Sequence, residues 1–244
     1  MLLAIDGMNG AGKTSVIQPL TSQKVPLVSE TIISTYVKHF PLSFTSPLTS
    51  DTDITVPAAL YNYGSIMQKL SYTEAIYDIA AINPTIFDST LFVFDRWVPS
   101  GIVYPMIDAS LSGSLTSTNE FYAKQVKLHD NVLEPDLTIL LIADPGVCHT
   151  RIENRARIDP KEIVYPSKYT SISNLEKAHF WFSHVVTDIP RSILIDTTSI
   201  DVFTLKDTVY DAIKYSNKDE FGWSVLEYLL ASDIHPFVRV ANVS

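Results

Sequence analysis

Cysteine is almost absent from this chain of 244 residues: Cys148 stands alone. No internal disulfide can form, and a reducing compartment suits such a composition best. Basic residues are also few, 18 Lys and Arg against 27 Asp and Glu, for a formal net charge of −9. That balance argues against nucleic acid as a general partner and against an anionic membrane surface, while leaving room for one local basic cluster. Long apolar runs are missing as well. Stretches such as LTILLIA at 137–143 fall far short of a bilayer span. The opening MLLAI lacks a basic flank and a cleavage site, so it does not read as a secretion signal. No low-complexity linker divides the chain, and its 46% hydrophobic and 18% charged residues suit one sizeable globular domain. The reading is of a soluble, cytoplasmic protein.

What the chain does have is a series of short apolar runs: LLAID (2–6), VPLVSE (25–30), TLFVFD (90–95), DLTILLIA (136–143) and SILID (192–196). They lack strict alternation, as strands covered on both faces do. Between them, helical spacing predicts helices over 14–22, 58–81, 117–133, 147–157, 172–187 and 202–215, with Asn83-Pro84 interrupting the chain before the third strand. Strand–helix alternation points to an α/β fold with a parallel sheet. The Pro/Ser/Thr-rich segment 41–57 reads as an extended surface loop. Residues 216–244 read as a C-terminal extension packed on a domain of residues 1–215.

Glycine is scarce too, eight in all, yet three fall in Gly7-Met8-Asn9-Gly10-Ala11-Gly12-Lys13-Thr14. This fits G-x-x-x-x-G-K-[ST] between a strand and a helix. Glycines let successive backbone N–H groups turn inward onto phosphate oxygens. The helix adds its positive end, Lys13 reaches the β/γ-phosphates and the Thr14 hydroxyl serves Mg²⁺. Gly7, Asn9, Gly10, Ala11, Gly12, Lys13, Thr14 and Ser15 are therefore candidate residues for holding a nucleoside triphosphate with Mg²⁺. A second constellation is FVFDRWVPSGIVY. Asp95 ends an apolar strand, where a carboxylate helps to organise the metal. Arg96 follows, its planar fork suited to an acceptor phosphate, or alternatively half of a structural ion pair. A third is RIENRARIDPKE, with Arg151, Arg155 and Arg157 within seven residues. Arg151 and Arg155 share a helix face if the helix persists. Arginines there either neutralise a transferring phosphoryl group from a mobile lid or make up a solvated or RNA-binding face.

In order and spacing, IDGMNGAGKTS, FVFDRWVPSGIVY and PDLTILLIADPGVCHTRIENRARID resemble the thymidylate kinase family across about residues 1–215. The resemblance implies a P-loop fold with a five-stranded parallel sheet flanked by helices and an arginine-rich lid over about 151–170. It implies a nucleoside monophosphate kinase that transfers the ATP γ-phosphoryl to a nucleoside monophosphate, with ATP and Mg²⁺ as cofactors, and a homodimer as the state often adopted. On the matching positions Asp95 serves metal or acceptor orientation, Arg96 the acceptor phosphate, Ser100 the motif serine, and Tyr104 lies near the deoxyribose. With no arginine at Gly10 or Ala11, the catalytic arginine falls to the lid: Arg155 first, Arg157 second, with Arg151 toward ATP.

The match weakens where the base is read. After the second strand the family pattern Arg-Glu-Pro leaves only Glu30, either facing the acceptor or acting as a helix N-terminal acid. The slot of the base-contacting arginine falls near Glu74, and the position after Ser100 is Gly101. Either Glu74 accepts from a base carrying an amino or hydroxymethyl donor, or it faces solvent. The expected acceptor is dTMP or a modified pyrimidine relative. A nucleotide within DNA and a non-catalytic nucleotide binder are the rival classes. Among the remaining features, Asn217–Glu220 reads as a polar turn, His179 and His184 as a helix face, and Asp6 as a structural cap of the loop.

Overall fold

The computed structural model describes residues 1–22, 92–113, 117–158, 169–216 and 238–241, together with helical positions between 66 and 81. In chain order the elements are β1 (Leu2–Gly7), α1 (Lys13–Ser22), β2 (Phe92–Asp95), α2 (Val98–Ser112), α3 (Thr118–Leu128), β3 (Leu137–Ile142), α4 (Pro145–Ile158), α5 (Ile172–Val185), β4 (Ser192–Asp196), α6 (Val202–Ser216) and β5 (Val238–Ala241). The sheet runs β2-β1-β3-β4-β5. The first four strands are parallel, with Ile5 opposite Asp95, Gly7 opposite Leu141 and Ile142 opposite Asp196. β1 and β3 are buried at every residue, so each needs apolar side chains on both faces, which is why their sequences run apolar without alternating.

Three features differ from the sequence expectation. The fifth strand among the described residues is β5, which pairs antiparallel with β4, Ser192 opposite Ala241 and Ile195 opposite Val238. It comes from the tail rather than from residues 25–30, which lie outside the described residues, as do Glu30, the 41–57 loop, Asn83-Pro84, positions 159–168 of the lid and the 217–220 turn. The pairing covers the ladder edge of β4 that would otherwise stay open. The second difference is α2, fifteen residues long and not anticipated, because Pro99, Gly101 and Pro105 all argue against a helix. Pro99 sits in the first turn, where a missing N–H costs nothing. Pro105 leaves the Gly101 carbonyl without its usual donor one turn back. Ten buried residues compensate, Ile102, Val103, Met106 and Ile107 among them. The helix closes on Gly113 in the left-handed region, φ 65°. α3 also ends earlier than expected, with His129 as its C-cap rather than running to 133.

Leu175, Ala178, Phe182 and Val185 of α5 join the main core with Ile102, Val103 and Ile107 of α2. Beyond β2, a second cluster of Leu2, Ala4, Ile76, Phe94, Trp97 and Val132 seats the 66–81 helical positions. Trp97 is buried, stacks on Phe94 at 4.2 Å and donates from its indole N–H to the Leu133 carbonyl at 2.8 Å. Among the described residues no helix is long and apolar enough to cross a membrane. The consequence for the site is positional: β1, β2, β3 and β4 all end on one edge of the sheet, where parallel α/β folds bind ligands.

Candidate active site

The loop from Gly7 to Gly12 leaves β1 at that edge. Gly7 has φ 130°, and a Cβ there would fall 2.0 Å from the Leu141 carbonyl oxygen, so only hydrogen fits between β1 and β3. Gly10 has φ 81°, and a Cβ would meet the Cys148 carbonyl oxygen at 2.6 Å. The loop is thus pressed against the backbone of α4. α1 follows at once and places the exposed Thr14 hydroxyl in its first turn. Lys13 folds back over the loop, its Nζ donating to the Gly7 carbonyl at 3.0 Å and the Met8 carbonyl at 2.6 Å. Burial pushes its pKa down to about 7; the Arg96 charge adds to this, while Asp6, Asp95 and Cys148 oppose it.

β2 delivers the second side. Asp95 is exposed at the strand tip. Arg96 then adopts a left-handed backbone, φ 69°, which a side chain disfavours by about 1 kcal/mol or more. The turn swings the guanidinium back over the loop. Its Nη1 lies 3.1 Å from the Gly7 carbonyl oxygen, 3.0 Å from Ser100 Oγ and 3.0 Å from Tyr104 Oη, and its Nη2 donates to Asn9 Oδ1 at 2.5 Å. The Tyr104 ring lies under the guanidinium at 5.2 Å. Asp6 organises all of this from beneath. Fully buried, it accepts from the Gly7, Trp97 and Ser100 backbone N–H groups at 2.7, 2.8 and 2.8 Å and from the Ser100 hydroxyl, and lies 4.0 Å from Arg96. It therefore caps α2 from a different strand, a cap that Trp97 cannot supply itself.

The third side is α4 with the chain after β4. α4 runs unbroken to Ile158, so Arg151 and Arg155 do sit one turn apart. Arg151 turns inward: its Nη1 lies 3.4 Å from the Gly10 carbonyl and 3.1 Å from Thr197 Oγ1, and its Nη2 donates to the Thr197 carbonyl at 2.8 Å. Thr197 in turn donates to the Ala11 carbonyl at 2.9 Å. Ala11, Gly12, Ser15, Arg151, Thr197 and Ile200 line a cleft of about 510 Å³ that Asp201 and Leu205 complete. Arg155 and Arg157 are exposed farther along α4, Arg157 4.0 Å from Glu153. Beyond positions 159–168 the chain returns at Tyr169, whose hydroxyl donates to the buried Asp108 carboxylate and whose ring meets Tyr104 edge-on at 5.0 Å.

The site therefore brings together Gly7, Asn9, Gly10, Lys13, Asp95, Arg96, Ser100, Tyr104 and Arg151. Glu74 stands apart, exposed on its helix, whereas Lys69 earlier in the same stretch is buried. Thr197, Ile200 and Leu205 went unread because TTSID looks like an ordinary turn. The one available signal was that it follows a buried strand of a parallel sheet, where ligands collect.

No family model matches the chain. A thymidylate kinase of Tropheryma whipplei is 25% identical over 179 residues, 70% of this chain and 79% of that protein. One of Mycoplasmoides gallisepticum is 25% identical over 228 residues, 87% of this chain and 91% of that protein. Among solved structures, thymidylate kinase of Candida albicans superimposes with a TM-score of 0.59 at 14% identity, covering 87% of this chain and 90% of that one. Deoxyadenosine kinase of M. mycoides with bound dATP gives 0.50 at 16% identity, covering 88% and 100%. These two structures share the fold.

Proposed function

We propose that this chain, which is thymidylate kinase-like, transfers the γ-phosphoryl group of ATP to a deoxynucleoside monophosphate, most suitably dTMP or a modified pyrimidine relative. One observation carries the reading. The Arg96 guanidinium is held against the phosphate loop itself, bonded to the Gly7 carbonyl and to Asn9. A simple nucleotide binder has no use for a second, fork-shaped cation at that point, whereas phosphoryl transfer needs donor and acceptor phosphates side by side.

On this reading the loop N–H groups and Lys13 hold the donor phosphates. The cleft between Arg151 and the Ile200–Leu205 segment takes the donor base, with the guanidinium available to stack on it. The residues present fit Mg²⁺: the Thr14 hydroxyl and the Asp95 carboxylate are both exposed at the same sheet edge, and a divalent ion there supplies charge neutralisation between the phosphates. Arg96 positions the acceptor phosphate in line, Tyr104 bounds the sugar, and Arg155 neutralises the charge that develops during transfer. The Tyr169 ring meets Tyr104 edge-on and so backs the place assigned to the sugar.

The test is a coupled ADP-release assay with ATP, Mg²⁺ and each deoxynucleoside monophosphate, the corresponding nucleosides and duplex DNA as separate acceptors. Turnover with a free monophosphate supports the reading. Turnover only with nucleosides or only with DNA, or no acceptor-dependent ADP at all, refutes it.

A further inference from the structure

The loop that leaves β1 turns its carbonyls onto donors from elsewhere in the site. Lys13 takes those of Gly7 and Met8, and Arg96 also reaches that of Gly7. The second half of the loop is held from the far side, by the residue that follows β4. Thr197 Oγ1 donates to the Ala11 carbonyl at 2.9 Å, a contact between residues 186 positions apart. Arg151 Nη1 lies 3.1 Å from Thr197 Oγ1 and 3.4 Å from the Gly10 carbonyl.

The chemistry of the groups fixes the sense of these bonds. A guanidinium only donates and a carbonyl only accepts, so the single hydroxyl hydrogen of Thr197 goes to Ala11 and a lone pair to Arg151. The backbone of Thr197 is held as firmly. Its N–H donates to the Ile142 carbonyl at 2.8 Å, and its carbonyl accepts from Arg151 Nη2 at 2.8 Å. The residue is 1% exposed, out of reach of bulk solvent. A trans peptide is planar, with its C=O and N–H on opposite sides. The Ala11 carbonyl shares its peptide with the Gly12 N–H, so drawing that carbonyl onto Thr197 aims the Gly12 N–H away from it. Gly12 itself has φ 102°, a turn that no side chain opposes here.

We propose that Thr197 is a positioning residue for the donor phosphates: its hydroxyl fixes the Ala11–Gly12 peptide so that the Gly12 N–H is set toward the triphosphate before nucleotide arrives. This role rests on the reading of the loop as the holder of a nucleoside triphosphate. On that reading Lys13 and Arg96 are also called to phosphate oxygens, whereas Thr197 is neutral and keeps its loop carbonyl throughout. A donor set in advance costs no reorganisation when the phosphate charge enters.

Thr197→Val keeps the shape and removes the hydroxyl, so packing along the cleft that Thr197 lines is retained. The buried Ala11 carbonyl then lacks its donor, the peptide turns to find another, and binding has to turn it back. Titration calorimetry with ATP should show Kd raised about 10- to 100-fold, the range expected for one orphaned buried acceptor. In initial-rate kinetics the KM for ATP should rise likewise, with the acceptor KM within about threefold of wild type. Thr197→Ser keeps the hydroxyl and should bind ATP within about threefold of wild type; Thr197→Ala removes it with less bulk and should behave as Thr197→Val does. A valine or alanine variant that melts at lower temperature yet binds ATP as wild type does shows a merely structural hydroxyl and overturns the assignment. Serine as damaging as valine overturns it too. Wild-type protein that binds no ATP overturns the loop reading itself, an outcome that no variant result can imitate.

Discussion

Lys13 enters the free protein under electrostatic stress. It is 8% exposed, and burial with the neighbouring Arg96 charge takes its pKa from 10.5 to about 7. Two carbonyls hold its Nζ, but neither carries a full negative charge. A triphosphate bound in the loop does, so binding should return Lys13 to the protonated form. At pH 8 about nine-tenths of Lys13 is neutral beforehand, and nucleotide binding should then take up about 0.9 proton. At pH 6 uptake at this residue should be close to zero. Above pH 7 the apparent affinity for ATP should fall about tenfold per pH unit, about 1.4 kcal/mol each, because protonation must precede productive contact. The sign for folding is related: native Lys13 binds fewer protons than the unfolded chain between pH 7 and 10.5, so its contribution makes the free protein more stable as pH rises through that window.

The assay is titration calorimetry of ATP without acceptor at pH 8, in buffers of different ionisation enthalpy, where the slope of observed heat against buffer enthalpy counts protons. Lys69, also lowered by burial, to about 8, titrates in the same range. Lys13→Met separates the two, since the slope should vanish in that variant along with turnover. A wild-type slope under about 0.3 at pH 8, or a slope that survives in Lys13→Met, refutes the argument.

Arg96→Lys keeps the charge but loses the fork that reaches both Asn9 and the Ser100–Tyr104 side. The KM for the acceptor should rise about 10- to 100-fold with ATP affinity within about threefold, and an equal loss for both substrates in initial-rate kinetics would contradict the acceptor assignment. Gly10→Ala places a methyl 2.6 Å from the Cys148 carbonyl at a positive φ; thermal unfolding should show about 2–4 kcal/mol lost, and an unchanged melting temperature would mean that the loop does not pack on α4 as described. Arg155→Ala should lower kcat about 100- to 1000-fold with ATP affinity nearly unchanged, whereas Arg151→Ala should weaken ATP binding because Arg151 holds Gly10 and Thr197. Reversal of that pattern in binding and single-turnover measurements would reassign the two arginines.

The loop of this candidate site was legible because its chemistry is local in sequence. Backbone N–H groups that cradle phosphates must come from consecutive residues, so Gly7 to Thr14 announce themselves whatever surrounds them. Asp95-Arg96 was legible for the same reason, being a strand tip with a charged pair. What stayed hidden depends on distance. Helix α2 broke the local rules at Pro99, Gly101 and Pro105, and only burial against α5 and the cap from Asp6, ninety-odd residues earlier, makes it a helix. The antiparallel β5 is short and carries no signal that separates it from a tail.

What packs behind Arg96 and Ser100 is distributed in a way that defeats reading by motif. Lys69, His129 and Gly101 share no motif and no spacing; they meet because the 66–81 positions and the turn after α3 pack on either side of Trp97. Glu74 seemed to occupy a base-reading slot only because the count ran back from Asp95 at a fixed interval, and the helix turns it outward instead. Phosphate handling constrains the backbone and so leaves a fixed string of residues, whereas base reading constrains only where a donor and an acceptor end up in space. A chain can therefore keep its loop and Arg96 while the residue in a family slot changes its role, and substrate choice in such a protein has to be measured rather than inferred from the residue that fills that slot.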